Sequence, residues 1–266
     1  MTSSGVPPLR RIAVGGVEFV ASTRARAVTD VVTAAKAGSA VAVRFANAYT
    51  VVMASRIPRY RELLNSSGVT YPDGRPIWWC MRAHGAAAAG DQIRGPSLFF
   101  DVLDAGRKEG LSHFLLGTTP KTMAALREAI DRHLPGVEIS GTFSPPFGDV
   151  TDQFVRSCTS EIADAQPDLV WIALGTPKQD FAASRISAEA GVMCLAVGAA
   201  FDFVAGTVQE APPVLSRLGL EWAFRLAAEP RRLWRRYLIG IPLFVTLVAR
   251  EAFLDRCRAF TSRRLG

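Results

Sequence analysis

The sequence is short of the residues from which many catalytic and metal centres are built. Its 266 residues include four cysteines (Cys80, Cys158, Cys194, Cys257) and three histidines (His84, His113, His133). No two cysteines form a CxxC pair, and the histidines lack metal-ligand spacing, so no zinc site is indicated. Cysteines so few and scattered do not make a disulfide framework either, and a reducing cytosol is the expectation. A GxGxxG after the first strand is absent, as are a Walker A loop, HExxH and GxSxG. These absences set aside dinucleotide oxidoreductases, P-loop NTPases, zincins and α/β-hydrolases. No Asp-x-Asp follows a strand, so a divalent-metal clamp on a diphosphate is not expected. No apolar run reaches the roughly 18 residues of a membrane span. The nearest, Tyr237–Ala249, is shorter and contains Pro242. The opening MTSSGVPPLRR lacks the apolar stretch of a signal peptide.

Positive charge is plentiful. The net charge is +7 and the isoelectric point is near 9.7. Such a balance points to a polyanionic partner: a phosphorylated substrate, nucleic acid or an anionic membrane. Ten arginines lie between Arg225 and Arg264. Arg231, Arg232, Arg235 and Arg236 share a face of a helix expected from Pro230 to about Ala259. Trp234, Leu238, Ile241 and Val245 fall on the complementary face. Arginines alternating with an apolar face suit a membrane or a protein groove better than nucleic acid.

Residues 1–10, rich in Ser, Gly and Pro, are expected to be a disordered lead-in. Two β-branched runs around Gly15-Gly16 form a hairpin. A helix follows from Thr23, then a strand over Ala40–Phe45 that ends at Asn47. Helices over 48–55 and 58–65 and a strand at Val69–Tyr71 lead to Pro72-Asp73-Gly74. From Pro96 onward helices and strands alternate to Val197. That order argues for an α/β fold with a doubly wound, largely parallel sheet over residues 11–211. Residues 212–266 form a basic helical appendage, and the core ahead of about Gly219 is expected to fold without it.

Asp168–Gly206 organises the α/β part. A buried strand (Leu169–Leu174) meets a Gly-Thr-Pro turn and a helix opening with Lys178, Gln179 and Asp180. A second strand (Val192–Val197) ends in small residues and Asp202. Strand, loop and helix N-terminus together make an anion site, because the first backbone N–H groups are unpaired and the helix dipole favours negative charge. Asn47, Asp73, Lys178, Gln179 and Asp202 all fall at strand C-terminal ends, where ligands bind in such sheets. Plainer roles exist for each: Pro-Asp-Gly is a common turn, Gln179 could cap its helix, and Asp202 could be an N-cap.

A series of segments resembles one family. DGRPI at Asp73, DQIRGPSLF with Arg94, LGTTPKT, SPPFGD, LGTPKQD, VGAAFDFVAG and LEWAFRLAAEPRRLWRR occur in the order found in the WecG/TagA/CpsF bacterial glycosyltransferases. The resemblance covers roughly residues 10–250. It implies a Rossmann-like α/β fold with a C-terminal helical appendage. It also implies an inverting, metal-independent transfer from a UDP-sugar, of N-acetylmannosamine type or a related hexose, to an undecaprenyl-diphosphate-linked saccharide. The UDP-sugar is then a substrate, and no cofactor is expected. By the matching motifs Asp73 is the general base. Asn47 lies by the donor sugar, Arg94 and Gln179 line the pocket, and Arg225, Arg232 and Arg235 reach the diphosphate or the acceptor. The resemblance places the protein in the cytoplasm, peripheral on the inner face of the membrane, and suggests homo-oligomers. The alternative is a non-catalytic UDP-sugar-binding or scaffold component of a polysaccharide assembly complex. One departure supports that alternative: Phe45-Ala46-Asn47-Ala48-Tyr49 stands where the family has a Thr-x-Asn-x-Glu-like stretch, replacing a hydroxyl with a ring.

Overall fold

The computed structural model describes residues 10–83, 90–212, 214–215 and 218–262. Most of the expected lead-in, His84, and Arg263 and Arg264 lie outside the described residues. The chain opens on an antiparallel hairpin, β1 (Arg11–Val14) and β2 (Val17–Val20). Then come α1 (Arg24–Lys36), β3 (Ala42–Ala46), α2 (Ala48–Arg56), α3 (Pro58–Asn65), β4 (Val69–Pro72) and α4 (Arg75–Ala83). The alternating part is α5 (Gly95–Lys108), β5 (Ser112–Gly117), α6 (Pro120–His133), β6 (Glu138–Phe143), α7 (Asp152–Ala165), β7 (Leu169–Ala173), α8 (Lys178–Ala190) and β8 (Met193–Ala196). A short α9 (Ala200–Val204) closes it.

Six strands pair in the order β4-β3-β8-β7-β5-β6, every neighbouring pair parallel. The sequence of β7, LVWIA, explains the layering. Successive side chains on a strand point to opposite faces, so a strand covered on both sides must be apolar throughout. Leu169 and Trp171 join a core built with α1, α5, α6 and α9. Val170 and Ile172 join a second core with α7 and α8. Three helices start where threonines were placed to start them. The hydroxyls of Thr23, Thr119 and Thr151 accept the N–H of the third residue on, satisfying one of the unpaired donors of the first turn.

Between β3, α3 and α8 lies a buried polar knot. The Tyr60 hydroxyl donates to Asp180 Oδ2 at 2.6 Å. Arg44 Nη2 donates to Ser184 Oγ at 2.6 Å and to the Ser67 carbonyl at 3.1 Å. Burial pushes the Asp180 carboxyl up to about 7, against the pull of Tyr60 and Arg44. The aspartate of the LGTPKQD segment is therefore a fastening for α8.

The third core contains the hairpin, α2, α3 and α4, and here the appendage enters the fold. Its described helices are α10 (Glu221–Ala228), α11 (Pro230–Trp234), a π-helical turn (Arg235–Ile239) and α12 (Gly240–Ser262). Phe244 is buried in that core, with Leu243, Leu247 and Val248 packed around it. Glu251 Oε2 accepts the Gly15 N–H at 2.7 Å. Gly15 has φ 60°, and a Cβ there would lie 2.4 Å from Val51 and 3.0 Å from Leu247, so only glycine lets the hairpin turn meet the helix. Side chains that help complete the third core therefore come from beyond Gly219.

Two further expectations change. The helix carries apolar side chains on two sides: one docks as above, while Leu238 (58% exposed), Val245 (59%) and Phe253 (66%) face solvent. And Arg235–Leu254 is 20 residues long and, by length and composition, apolar enough to cross a membrane, although the sequence alone suggested no such span. The difference arises because the helix runs unbroken past Pro242.

Candidate active site

The C-terminal ends of β3, β7 and β8 open into a large chamber, about 1700 Å³ including its open mouth. Asp73 enters it from the end of β4. Its backbone N–H bonds the Ala46 carbonyl at 3.0 Å, continuing the β3–β4 pairing, and its carbonyl accepts Gln92 Nε2 at 2.7 Å. Its Oδ1 accepts the Gly95 N–H at 3.2 Å, at the start of α5. A Cβ on Gly95 would lie 3.2 Å from the Val197 carbonyl and 3.5 Å from the Phe45 ring. A side chain at this glycine of DQIRGPSLF would press on the Val197 carbonyl. The Asp73 side chain thus has a backbone partner and a place in the chamber wall.

Asn47 lines the chamber, and its Oδ1 caps α2 by accepting the N–H groups of Tyr49 and Thr50 at 3.1 and 3.3 Å. Phe45 is buried against Tyr71, ring centroids 6.0 Å apart, and forms chamber wall. The ring is accommodated in the core and does not fill the chamber.

Gln179 also lines the chamber but is only 3% exposed. Its Oε1 accepts the Gly175 N–H at 3.0 Å and its Nε2 donates to the Ala196 carbonyl at 3.1 Å. It ties the ends of β7 and β8 together and so shapes the floor. Lys178, one residue away, is not among the chamber residues; its ammonium lies over the Phe154 ring at 4.6 Å. Asp202 lines the chamber within the first turn of α9. It is not the N-cap, a position held by Ala199, and its Oδ1 accepts from the Thr207 hydroxyl at 3.4 Å.

The cations come from α5 and the appendage: Arg94, Arg225, Arg235 and Arg236 all line the chamber. Arg94 pairs with Glu210 at 2.7 Å and Glu221 at 3.4 Å. Burial works against its charge, but Glu221, Asp73 and Glu210 together raise its pKa. Glu221 is itself raised by burial and by Asp73, against the opposing pull of Arg94. The side chain of Arg232 lies outside what the structure describes.

Four site residues escaped the sequence reading. Glu221 and Arg236 sit among segments already singled out, but nothing in their spacing says that they face the site. Tyr49 occupies the position of a family carboxylate-like residue. Thr118, in LGTTP, lines the chamber with φ 51°, a left-handed conformation that costs a β-branched residue about 1–3 kcal/mol. Its N–H bonds the Ala173 carbonyl at 3.1 Å, which holds the turn. The guanidiniums of Arg75 and Arg82 lie over the Trp78 ring, 4.9 and 4.7 Å from its centroid.

The open parallel sheet thus has three carboxylates, Asp73, Asp202 and Glu221, and four arginines around one chamber at its strand ends. The model described as Glycosyl transferase WecG/TagA/CpsF family matches residues 12–258, so the chain belongs to that family and is a glycosyltransferase. It is 33% identical over 195 residues, 73% of each chain, to an N-acetylglucosaminyldiphosphoundecaprenol N-acetyl-beta-D-mannosaminyltransferase of Bacillus spizizenii strain W23. A protein of the same description from Bacillus subtilis strain 168 is 29% identical over 196 residues, 72% of each chain.

Proposed function

We propose that the protein moves a sugar from a UDP-sugar to a saccharide carried on a polyprenyl diphosphate, with inversion and without a metal, in cell-surface polysaccharide synthesis. The observation that carries this reading is the fixed Asp73 carboxylate in a chamber that also holds four arginines. In an inverting transfer one base takes the proton of the acceptor hydroxyl. The acceptor oxygen bonds to the anomeric carbon, and the bond from that carbon to the diphosphate breaks on the opposite face. A single carboxylate suffices. The charge that develops on the leaving UDP needs neutralising, and guanidinium forks match phosphate oxygens in charge and geometry. The names of the Bacillus relatives support an undecaprenyl-diphosphate-linked N-acetylglucosamine acceptor and an N-acetylmannosamine donor.

The exposed apolar side of the appendage supports a peripheral membrane location, on the cytoplasmic face where such lipids present their sugars. Docking of α12 along one side by Phe244 and Glu251 supports a helix that lies along the membrane surface. Interfacial helices bind through apolar area plus attraction of basic residues to anionic lipid.

The test is UDP release from a panel of UDP-sugars, with the lipid-linked acceptor embedded in vesicles. The reading expects release with an N-acetylmannosamine-type donor, persistence in a metal chelator, and faster turnover on anionic than on neutral vesicles. Absence of release from every donor on both vesicle types would leave the protein without the proposed activity.

A further inference from the structure

Two helix starts border the strand-end chamber: α2 at Asn47 and α8 at Gln179. A ligand between them is held well only if the two starts keep a fixed spacing. That depends on the residues behind them as much as on the residues that touch the ligand.

A buried row of polar side chains runs behind the chamber from one start to the other. Asn47 Oδ1 accepts the Tyr49 and Thr50 N–H groups at 3.1 and 3.3 Å, so the amide turns its Nδ2 donors the other way. The Thr50 hydroxyl lies 3.4 Å from the same Oδ1 and is also a hydrogen-bonding neighbour of the Tyr60 side chain. Tyr60 in turn donates to Asp180 Oδ2 at 2.6 Å. Burial, with Asp180 beside it, raises the Tyr60 pKa, so the phenol keeps its proton and stays the donor. Asp180 directly follows Gln179 in the first turn of α8. Thr50, Tyr60 and Asp180 are all buried, so water cannot replace a bond of the row unless the core opens.

Such a row is a poor way to gain stability. Its groups were hydrogen-bonded to water in the unfolded chain, and a buried charge is costly unless all its sites are satisfied. Here Asp180 Oδ1 and the Arg44 Nε and Nη1 are buried with no hydrogen-bond partner among the described residues. Apolar side chains of similar volume would fill the same space at less cost. Hydrogen bonds add direction, because they hold lengths and angles that apolar packing leaves loose. The relation they fix here is that of Asn47 to the start of α8. The far end of this link is tight as well: a Cβ on Gly198, in the loop after β8, would lie 3.3 Å from Gln179 Nε2.

We propose that Thr50 and Tyr60 are positioning residues for the donor: with Asp180 they set the Asn47 amide and the start of α8 at the spacing that a bound UDP-sugar requires. Neither Thr50 nor Tyr60 is among the residues that line the chamber, so each acts through Asn47, Asp180 and Gln179. The inference rests on the UDP-sugar reading above and adds to it which buried residues control donor affinity. Asp73 is held separately, by the Gly95 N–H, so the effect falls on donor binding and not on the proton transfer.

The test uses the full-length protein, with UDP binding followed by calorimetry and turnover by UDP release. Tyr60→Phe removes one oxygen. It is expected to raise the Kd for UDP and the donor KM by about tenfold, the scale of one buried hydrogen bond, and to change kcat by less than about twofold. Ser112→Ala is the comparison. Ser112 lies at the opposite end of the sheet, at the start of β5, where its hydroxyl donates to Asp168 Oδ2 at 2.8 Å. Its loss is expected to lower thermal stability and leave UDP affinity unchanged. If Tyr60→Phe does not fold, Thr50→Val and Thr50→Ser carry the test. The valine loses the hydroxyl and is expected to raise the donor KM, and the serine keeps it and is expected to recover wild-type behaviour. Unchanged donor affinity in Tyr60→Phe, or in Thr50→Val where that variant carries the test, would make the row a stabilising feature only and overturn the assignment. An equal loss of UDP affinity in Ser112→Ala would overturn it too. Wild-type protein that binds no UDP would fail the UDP-sugar reading itself, and that outcome is visible before any substitution is made.

Discussion

Asp73→Asn is expected to lower turnover by about 10²–10⁴-fold, the usual contribution of a positioned general base, while UDP still binds. The substitution is close to isosteric, and the amide oxygen can still accept the Gly95 N–H that holds Oδ1 at 3.2 Å. Geometry is therefore kept and basicity is lost. The effect should fall on kcat, because the proton moves only in the transition state. On the proposed reading UDP is held by the arginines and the strand-end loops, which stay in place, although Arg94 loses one of the carboxylates that raise its pKa. Parallel measurement of UDP release and UDP binding checks both halves, and full turnover by the variant would remove Asp73 from the chemistry.

The second large effect concerns the appendage as a structural element. Phe244→Ala is expected to destabilise the protein by about 3–5 kcal/mol, the usual cost of emptying a buried phenylalanine site. Phe244 is 4% exposed and packs among residues of the hairpin and α2 to α4. Val245→Ala, one residue along and 59% exposed, is expected to change stability by less than about 0.5 kcal/mol. Denaturant unfolding of the two variants measures the difference. Equal, small effects would mean that α12 contributes little to the folded core, as the sequence first suggested.

That contrast shows what could be read in advance and what could not. The parallel sheet was legible because LVWIA and its neighbours are apolar without alternation, and because threonines stand where helices begin. That Asn47, Asp73 and Asp202 would line the strand-end chamber was legible by position, since a polar residue just past a strand end lies where ligands bind in such sheets. Side-chain direction was not legible. Lys178 and Gln179 are adjacent at the start of α8, yet one lies over Phe154 and the other is buried as a tie between β7 and β8. Arg236 was hidden for a different reason. Helical spacing put it on a basic stripe with Arg231, Arg232 and Arg235, and a π-helical turn with a glycine after it is not a pattern that spacing reveals. Tyr49, whose ring lies under its guanidinium, is 187 positions away in the chain, and no local rule joins them. Glu221 was missed similarly, because its role depends on Arg94 of α5.

The central claim is that Asp73 faces a UDP-sugar held at the strand ends. A crystal structure of the protein with UDP tests it most directly. The uridine diphosphate should lie in the larger chamber beside the ends of β7 and β8, its phosphate oxygens about 3 Å from arginine nitrogens of Arg94, Arg225 or Arg235. Asp73 should then face the open space beyond the terminal phosphate, where the sugar carbon would sit. UDP found away from these strand ends, or with its phosphates remote from both the arginines and Asp73, would contradict the account.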